Sequence, residues 1–210
     1  MADRAIVFID GNNWYHALRD AGIDDLGRFN YKSLSERLVG PRIWTGTRYY
    51  IGRVTQDMSP TLYADQRRFL AALGATDPRI TTHLGRLEPR RVESPAAKAL
   101  LHYLGNLKTP IDRTVYQQLV AIGNAHRRQH VRVEKAVDVM LAVDMVVMAE
   151  RNELDAAYLL SVDGDFTPAV TAVRSLNKKV YAASPEPGAE LAAAVNSYIR
   201  LTPEWLSGCR

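Results

Sequence analysis

The chain has 210 residues, 47% of them hydrophobic and 24% charged, a composition that is typical of a folded globular domain and excludes a disordered or fibrous protein. The single cysteine, Cys209, excludes a disulfide framework and argues against cysteine-based zinc sites. The formal net charge of +4 is uneven, because residues 1–135 carry +8 and residues 136–210 carry −4. A basic part joined to an acidic part favours a polyanion-binding surface beside a carboxylate-rich centre.

Targeting segments and the common nucleotide-binding motifs are missing from the sequence. The apolar run at 5–9 is too short for a secretion signal, and no apolar run approaches the roughly 20 residues that span a bilayer. We therefore expect a cytoplasmic protein with no membrane partner. The sequence has no Walker A, GxGxxG or GxSxG motif, which argues against P-loop, dinucleotide-binding and α/β-hydrolase functions.

Apolar periodicity predicts strands that alternate with helices along the chain. Strands are predicted at 4–10, 43–54, 80–87, 130–134, 156–162, 179–183 and 198–201. Helices are predicted from residue 11 and at 31–38, 61–73, 96–104, 113–128, 137–151, 165–176 and 189–195, with a final turn at 203–206. This order predicts an α/β fold with a mostly parallel sheet covered by helices on both faces. We expect one domain over residues 1–210, with a helical insertion at about 88–129.

Aspartates stand where two of the predicted strands end. Asp10 closes the first strand, and Asp163 and Asp165 directly follow the strand at 156–162. In doubly wound sheets, ligands bind beyond the carboxyl ends of the strands, so these carboxylates are expected at one edge. Asp138 lies in the first turn of the preceding helix, and it joins them only if that helix begins over the same edge.

Carboxylates that converge in this way indicate a metal site. Like charges raise one another's pKa, and a divalent cation removes that conflict. Ligand sets that contain only oxygen select hard ions, Mg²⁺ or Mn²⁺, and such an ion beside basic residues is the arrangement that phosphodiester hydrolysis needs. A simpler interpretation stays open, because an Asp or Asn after a strand often only caps the next helix.

Three short blocks resemble the signature blocks of the NYN domain family, LabA-like proteins that are related to PIN-domain nucleases. The blocks are IDGNN at 9–13, KAVDV at 135–139 and LSVDGDF at 160–166. They occur in the family's order and span most of the chain. The second block departs from the family's usual KGVD, because Ala136 replaces the glycine, and a positive φ there would be strained.

The resemblance implies a PIN-like, Rossmann-like fold and a metal-dependent ribonuclease site. The matching residues, as catalytic groups and as ligands to Mg²⁺ or Mn²⁺, are Asp10, Asp138, Asp163 and Asp165. Asn12 is expected to position water or a phosphate, Ser161 to orient a carboxylate or water, and Lys135 to neutralise the carboxylates or hold a phosphate. Asp144 lies about 240° around the helix from Asp138, so we interpret it as a supporting residue or as the partner of a basic group.

Candidates for RNA phosphate contacts are basic residues near predicted strand ends or the insertion, namely Arg48, Arg53, Arg86, Arg90 and Arg91. Trp14, Tyr49 and Tyr50 are suited either to stacking on single-stranded bases or to the core. Alternate strand residues face opposite ways, which favours the core for Trp14 and for one of the two tyrosines.

The resulting hypothesis is an endoribonuclease that acts on single-stranded or structured RNA, in which metal-activated water attacks phosphorus in line and leaves a 5′-phosphate and a 3′-hydroxyl. The alternative is a non-catalytic regulatory module that keeps the acidic pocket and binds nucleic acid or protein. The insertion at 88–129 would then be a surface for a protein partner. A homodimer is the default oligomer, because symmetric dimers are the commonest.

Overall fold

The computed structural model describes residues 3–23 and 29–209, apart from the side chains at 89 and 129–134, and contains one sheet in the order β4-β3-β2-β1-β5-β6-β7. The strands are β1 (Arg4–Asp10), β2 (Ile43–Gly52), β3 (Ile80–Glu93), β4 (Arg128–Lys135), β5 (Ala156–Leu160), β6 (Lys179–Ser184) and β7 (Ser197–Arg200). Every neighbouring pair from β3 across to β7 is parallel. The predicted α/β class and the mostly parallel sheet are confirmed.

Helices connect the strands. They are α1 (Gly11–Asp20), α2 (Tyr31–Val39), α3 (Pro60–Thr76), α4 (Pro95–Gly105), α5 (Arg113–Ala125), α6 (Val137–Glu150), α7 (Thr167–Ser175), α8 (Ala189–Ala194) and α9 (Pro203–Ser207). The helix predicted at 165–176 is divided into a 3-10 turn, Gly164–Phe166, and α7. The division occurs because Asp163 caps the 3-10 turn and Pro168 starts a new first turn in α7.

The sheet reverses its strand order between β1 and β5. From β1 the chain moves outward to β2 and β3 on one side, and it later moves outward from β5 to β6 and β7 on the other. Ile9 is in register with Tyr49 of β2 and with Leu160 of β5. The carboxyl ends of β1 and β5 are therefore the place where ligands bind in doubly wound sheets.

Both faces of the sheet are buried, as the alternation along β1 requires. Val7 and Ile9 pack with α1 and α2 on one face, in a cluster that includes Trp14. Phe8 packs on the other face with α6 and α7, in a cluster that includes Leu141. In a parallel sheet that is covered on both faces, the strands have nearly continuous apolar sequences, and β1 and β5 show this pattern.

The chain divides into two compact units, one formed by Met1–Arg86 with Lys135–Arg210 and the other by Leu87–Glu134. Within the smaller unit, α4 packs on α5 where Gly123 leaves room for Leu101, and Ser94 N donates to Arg127 O over 2.8 Å. Strand β3 continues to Glu93, so the segment that was predicted as a helical insertion begins in a strand. Among the described residues, no helix is both long and apolar enough to cross a bilayer.

Candidate active site

Two buried polar side chains meet where β1 and β5 end. Asp10 is 4% exposed and Ser161 is 1% exposed. The Ser161 hydroxyl donates to Asp10 Oδ2 over 3.2 Å and accepts a hydrogen bond from Asp163 N over 3.1 Å. Ser161 therefore links the carboxylate at the end of β1 to the loop that follows β5. This is the kind of contact expected of a residue that orients a carboxylate, and its part in catalysis stays a prediction.

Asn13 makes the second link between these strand ends. Its backbone N–H donates to Asp10 Oδ1 over 3.2 Å, and its side-chain Oδ1 accepts from Val162 N over 3.1 Å. Sequence reasoning assigned a role to Asn12, whose side chain is exposed and whose role remains a prediction. It missed Asn13, although the backbone N–H of the third residue after an N-cap aspartate commonly donates the capping bond.

The loop after β5 presents Asp163 and Asp165 in a tight turn. Asp163 Oδ1 accepts from Asp165 N over 2.9 Å and caps the 3-10 turn, as Asp10 caps α1. The capping interpretation therefore holds for Asp10 and Asp163, and both also belong to the carboxylate group. Gly164 lies against Glu190 of α8, since a Cβ built there would be 2.5 Å from Glu190 Oε2. Nothing in the sequence pattern pointed to Glu190.

Helix α6 begins over the same edge, which is the condition that Asp138 needed. Ala136 precedes α6 with φ 70° and ψ −4°, in the left-handed region, without a side-chain capping bond. The first turn of α6 approaches β3 closely, because a Cβ built on Gly85 would lie 2.2 Å from Val137 Cγ2 and 2.9 Å from Lys135 O. The positive φ at which strain was expected is therefore present at Ala136. Gly85 was not predicted from the sequence to have this role.

The carboxylates of this edge influence one another electrostatically. The pKa of Asp10 is raised to about 6, mainly by burial and to a smaller extent by the charges of Asp138 and Asp163, against the lowering effect of the Asn13 N–H and the Ser161 hydroxyl. Burial also raises the pKa of Asp138, with the charges of Asp163 and Asp165 acting in the same direction. All four predicted carboxylates are thus brought to one edge of the sheet.

Asp144 lies on α6 away from this group and contacts basic and aromatic side chains. Its Oδ2 accepts from Arg48 Nη1 over 3.0 Å and from Tyr50 OH over 2.7 Å. The ring of His83 stacks on Tyr50 at 4.7 Å between centroids. These contacts fit the interpretation of Asp144 as the partner of a basic group. Lys135 ends β4 with an exposed side chain.

The five arginines predicted to contact RNA have different environments. Arg48 is partly buried in its ion pair with Asp144. The other four are exposed on or next to β2 and β3, and they are Arg53, Arg86, Arg90 and Arg91.

The aromatic residues that were candidates for base stacking are core residues. Trp14 is 1% exposed, Tyr49 3% and Tyr50 0%. The two tyrosines face opposite sides of β2, and both sides are covered, so both are buried rather than only one.

Comparison with known proteins identifies the family. The NYN domain matches residues 91–202, which is more than half of the chain and includes the second and third signature blocks. The chain belongs to the NYN domain family. NYN domains have a nuclease-like fold and NYN proteins are usually ribonucleases. The match does not extend to the first block at 9–13, which enters the site through the end of β1.

A solved structure has the same fold. It is a protein of unknown function from Vibrio parahaemolyticus, similar with a TM-score of 0.56 and 16% identity over 94% of this chain and 92% of that one. At this identity the similarity concerns the fold alone. No curated protein matches the sequence.

NYN and other PIN-like nucleases typically use divalent metals, and the donor set here can be tested against that use. The chemistry fits a hard cation, because the described side chains that meet at this edge offer carboxylate, hydroxyl and amide oxygens and two of the carboxylates have raised pKa values. The positions of the side chains fit an ion less well, because among the described residues no three His, Cys, Asp or Glu side chains are arranged to hold one ion. Binding would therefore require the carboxylate side chains to move closer together.

Proposed function

We propose that this protein is an endoribonuclease that hydrolyses RNA phosphodiester bonds with Mg²⁺ or Mn²⁺ held by Asp10, Asp138, Asp163 and Asp165. The observation that carries the proposal is the buried Asp10, whose pKa is raised to about 6 next to further carboxylates at the switch point of the sheet. Carboxylates gathered at close range raise one another's pKa, and perturbed pKa values of this kind are typical of functional sites.

Each residue of the proposed site has a defined task in this proposal. Asp10 is held by Asn13 N and the Ser161 hydroxyl, so that its orientation is fixed before RNA binds. Asp163 and Asp165 are held in the 3-10 turn, and Asp138 is presented from the first turn of α6. A bound divalent ion would lower the pKa of water and neutralise charge that develops on the phosphoryl oxygens. Lys135, Asn12 and Asp144 are assigned supporting roles.

The proposal includes the substrate and the cellular context. Single-stranded or structured RNA is bound through phosphate contacts from Arg48, Arg53, Arg86, Arg90 and Arg91. We further propose LabA-like membership of the family and a cytoplasmic location. One domain spans the chain, a homodimer is its oligomeric state, and the segment at 88–129 is available to a protein partner.

Cleavage of labelled RNA with Mn²⁺ and with a chelator tests the proposal, with Asp10→Asn and Asp163→Asn compared with wild type. Asp65→Asn is the matched control, because Asp65 is an exposed aspartate of α3 paired with Arg68 on the surface. We expect turnover to fall by about a thousandfold or more in the two site variants, equivalent to roughly 4 kcal/mol of transition-state stabilisation, and to persist in the control. Cleavage that survives both site substitutions would exclude this active site.

A second candidate is the non-catalytic module that retains the acidic pocket. Two observations favour it. The described carboxylates are not arranged to hold one ion, and Ala136 at the start of α6 has a left-handed backbone conformation. RNA binding without cleavage, on several RNAs and with either metal, would support the module over the enzyme.

A further inference from the structure

A cavity of about 330 Å³ lies beside the carboxylate group at the same edge of the sheet. Its walls come from the end of β7, the segments that follow β6 and β7, and the end of α1. This volume is at the low end of the range for ligand pockets and suits a small ligand. None of the four site aspartates lines it.

The cavity adjoins the loop that carries Asp163. The segment between β6 and α8 forms one wall, and a Cβ built on Gly188 of that segment would lie 3.3 Å from Val162 Cα. Glu190, two residues further on, contacts Gly164 in the acidic turn. Only a short packed segment therefore separates the cavity from the carboxylates, as expected for a subsite next to a reacting phosphate.

The lining combines apolar residues with charged ones. Prolines 185, 187 and 203 face the cavity together with the small side chain of Ala17. Arg200, Glu186 and Asp20 also line it. Arg200 and Asp20 are exposed and Glu186 is half-buried, and among the residues that the structure describes no ion pair joins these three side chains.

We infer that this cavity binds a guanine base of the RNA strand, an inference that rests on the proposed function. Guanine offers O6 and N7 as acceptors, which the planar fork of an arginine such as Arg200 reads bidentately. Its N1–H and N2–H₂ are donors that the carboxylate of Glu186 accepts. Adenine lacks the O6 acceptor and the N1–H donor, so it cannot satisfy both kinds of group.

Binding of free 5′-GMP and 5′-AMP, measured by calorimetry in the absence of divalent metal, tests the cavity independently of catalysis. We expect 5′-GMP to bind more tightly than 5′-AMP, and Arg200→Gln and Glu186→Gln each to weaken 5′-GMP binding about tenfold, within the range of roughly 5- to 150-fold for one bidentate base contact. Arg151→Gln and Glu150→Gln, which remove equal charges from exposed positions at the end of α6, should leave binding unchanged.

The second arm uses RNA oligonucleotides that differ only in the position of a single guanine, cleaved with Mn²⁺ and mapped. If the cleavage position follows the guanine in the wild type and no longer follows it in Arg200→Gln, the result supports binding of a guanine of the RNA strand in the cavity. Cleavage without base preference, together with equal binding of 5′-GMP and 5′-AMP, would overturn it and leave the nuclease proposal intact. Absence of cleavage with Arg200-dependent binding of 5′-GMP would support the cavity and contradict the nuclease.

Discussion

Aspartates lie at both edges of the sheet, and the two edges give them opposite surroundings. At the amino edge, Asp3, Asp77 and Asp155 each come shortly before a strand, and each is paired with an arginine or lysine. At the carboxyl edge, burial has the largest effect on the pKa values of Asp10 and Asp138, and other carboxylates raise both.

The pKa values follow this difference. Hydrogen bonds from Arg4 hold the pKa of Asp155 well below its usual range, and Arg79 does the same for the pKa of Asp77. Burial and like charge raise the pKa of Asp10 to about 6. Ionised aspartates at the amino edge therefore stabilise the fold, whereas ionised Asp10 opposes it. Stability alone does not account for the carboxyl edge, which points to a function there.

The replacement Asp10→Asn is expected to give the largest change in the free energy of unfolding. The change should be an increase, which is the less usual direction. The native carboxyl group holds its proton up to a higher pH than the unfolded one, so native stability falls as pH rises from about 4 to 6. A rise of roughly two pKa units corresponds to about 3 kcal/mol at neutral pH, and asparagine removes this cost while still accepting from Asn13 N. Denaturant unfolding at pH 7 in chelator should show the variant to be the more stable.

Repeating the unfolding at pH 4 checks the cause, because the gain should largely disappear where native Asp10 is protonated and the unfolded carboxyl is about half protonated. Adding Mn²⁺ at pH 7 should narrow the gap by stabilising only the wild type, if the ion binds the folded form. A variant that is less stable at pH 7 would show that Asp10 is a structural charge like those of the amino edge.

The replacement Asp155→Asn should change stability in the opposite direction. Asp155 Oδ2 accepts from Arg4 N over 2.9 Å and from Arg4 Nε over 3.0 Å, and Lys178 Nζ lies 3.2 Å from Asp155 Oδ1. Loss of the charge should lower the free energy of unfolding at pH 7 by about 1 to 2 kcal/mol, a value reduced because the side chains are partly exposed. The loss should shrink as pH falls below about 4, towards the lowered pKa of native Asp155. Unchanged RNA cleavage by this variant would separate the two edges by role.

Much of this arrangement was predictable from the sequence, because parallel strands that are buried on both faces read as apolar runs ending in polar residues. The strand that ends at Asp10 and the strand before Asp163 were both found where the pattern placed them. The close approach of Gly85 to Val137, and of Gly164 to Glu190, depends on how separate segments pack and leaves no local signal. The sequence could not show that Tyr49 and Tyr50 are both buried, because this depends on helices that cover both faces of β2.

Ala136 tests whether the carboxyl edge also contains backbone strain. Its φ of 70° is a conformation that glycine adopts readily and that costs an L-residue roughly 1 kcal/mol or more. We expect Ala136→Gly to raise the free energy of unfolding by up to about 1 kcal/mol, partly offset by the greater freedom of glycine in the unfolded chain. Ala142→Gly in the middle of α6 is the control and should destabilise by about the same amount. If Ala136→Gly destabilises equally, the left-handed conformation at residue 136 is not strained.

The smallest expected effect concerns the basic residues, which should bind the RNA backbone without taking part in the chemistry of the carboxyl edge. Arg90 and Arg91 are exposed on β3, and replacing both with alanine should weaken RNA binding and flatten its dependence on salt. Each lost phosphate contact on a single strand reduces the slope of log K against log salt by about 0.7, so the pair should reduce it by about 1.4. Turnover at saturating RNA in Mn²⁺ should stay near wild type. Arg67→Ala with Arg68→Ala on α3 removes the same charge from another exposed surface and should leave the slope unchanged. An equal slope in both double variants would assign the effect to net charge and remove Arg90 and Arg91 from the RNA-binding surface.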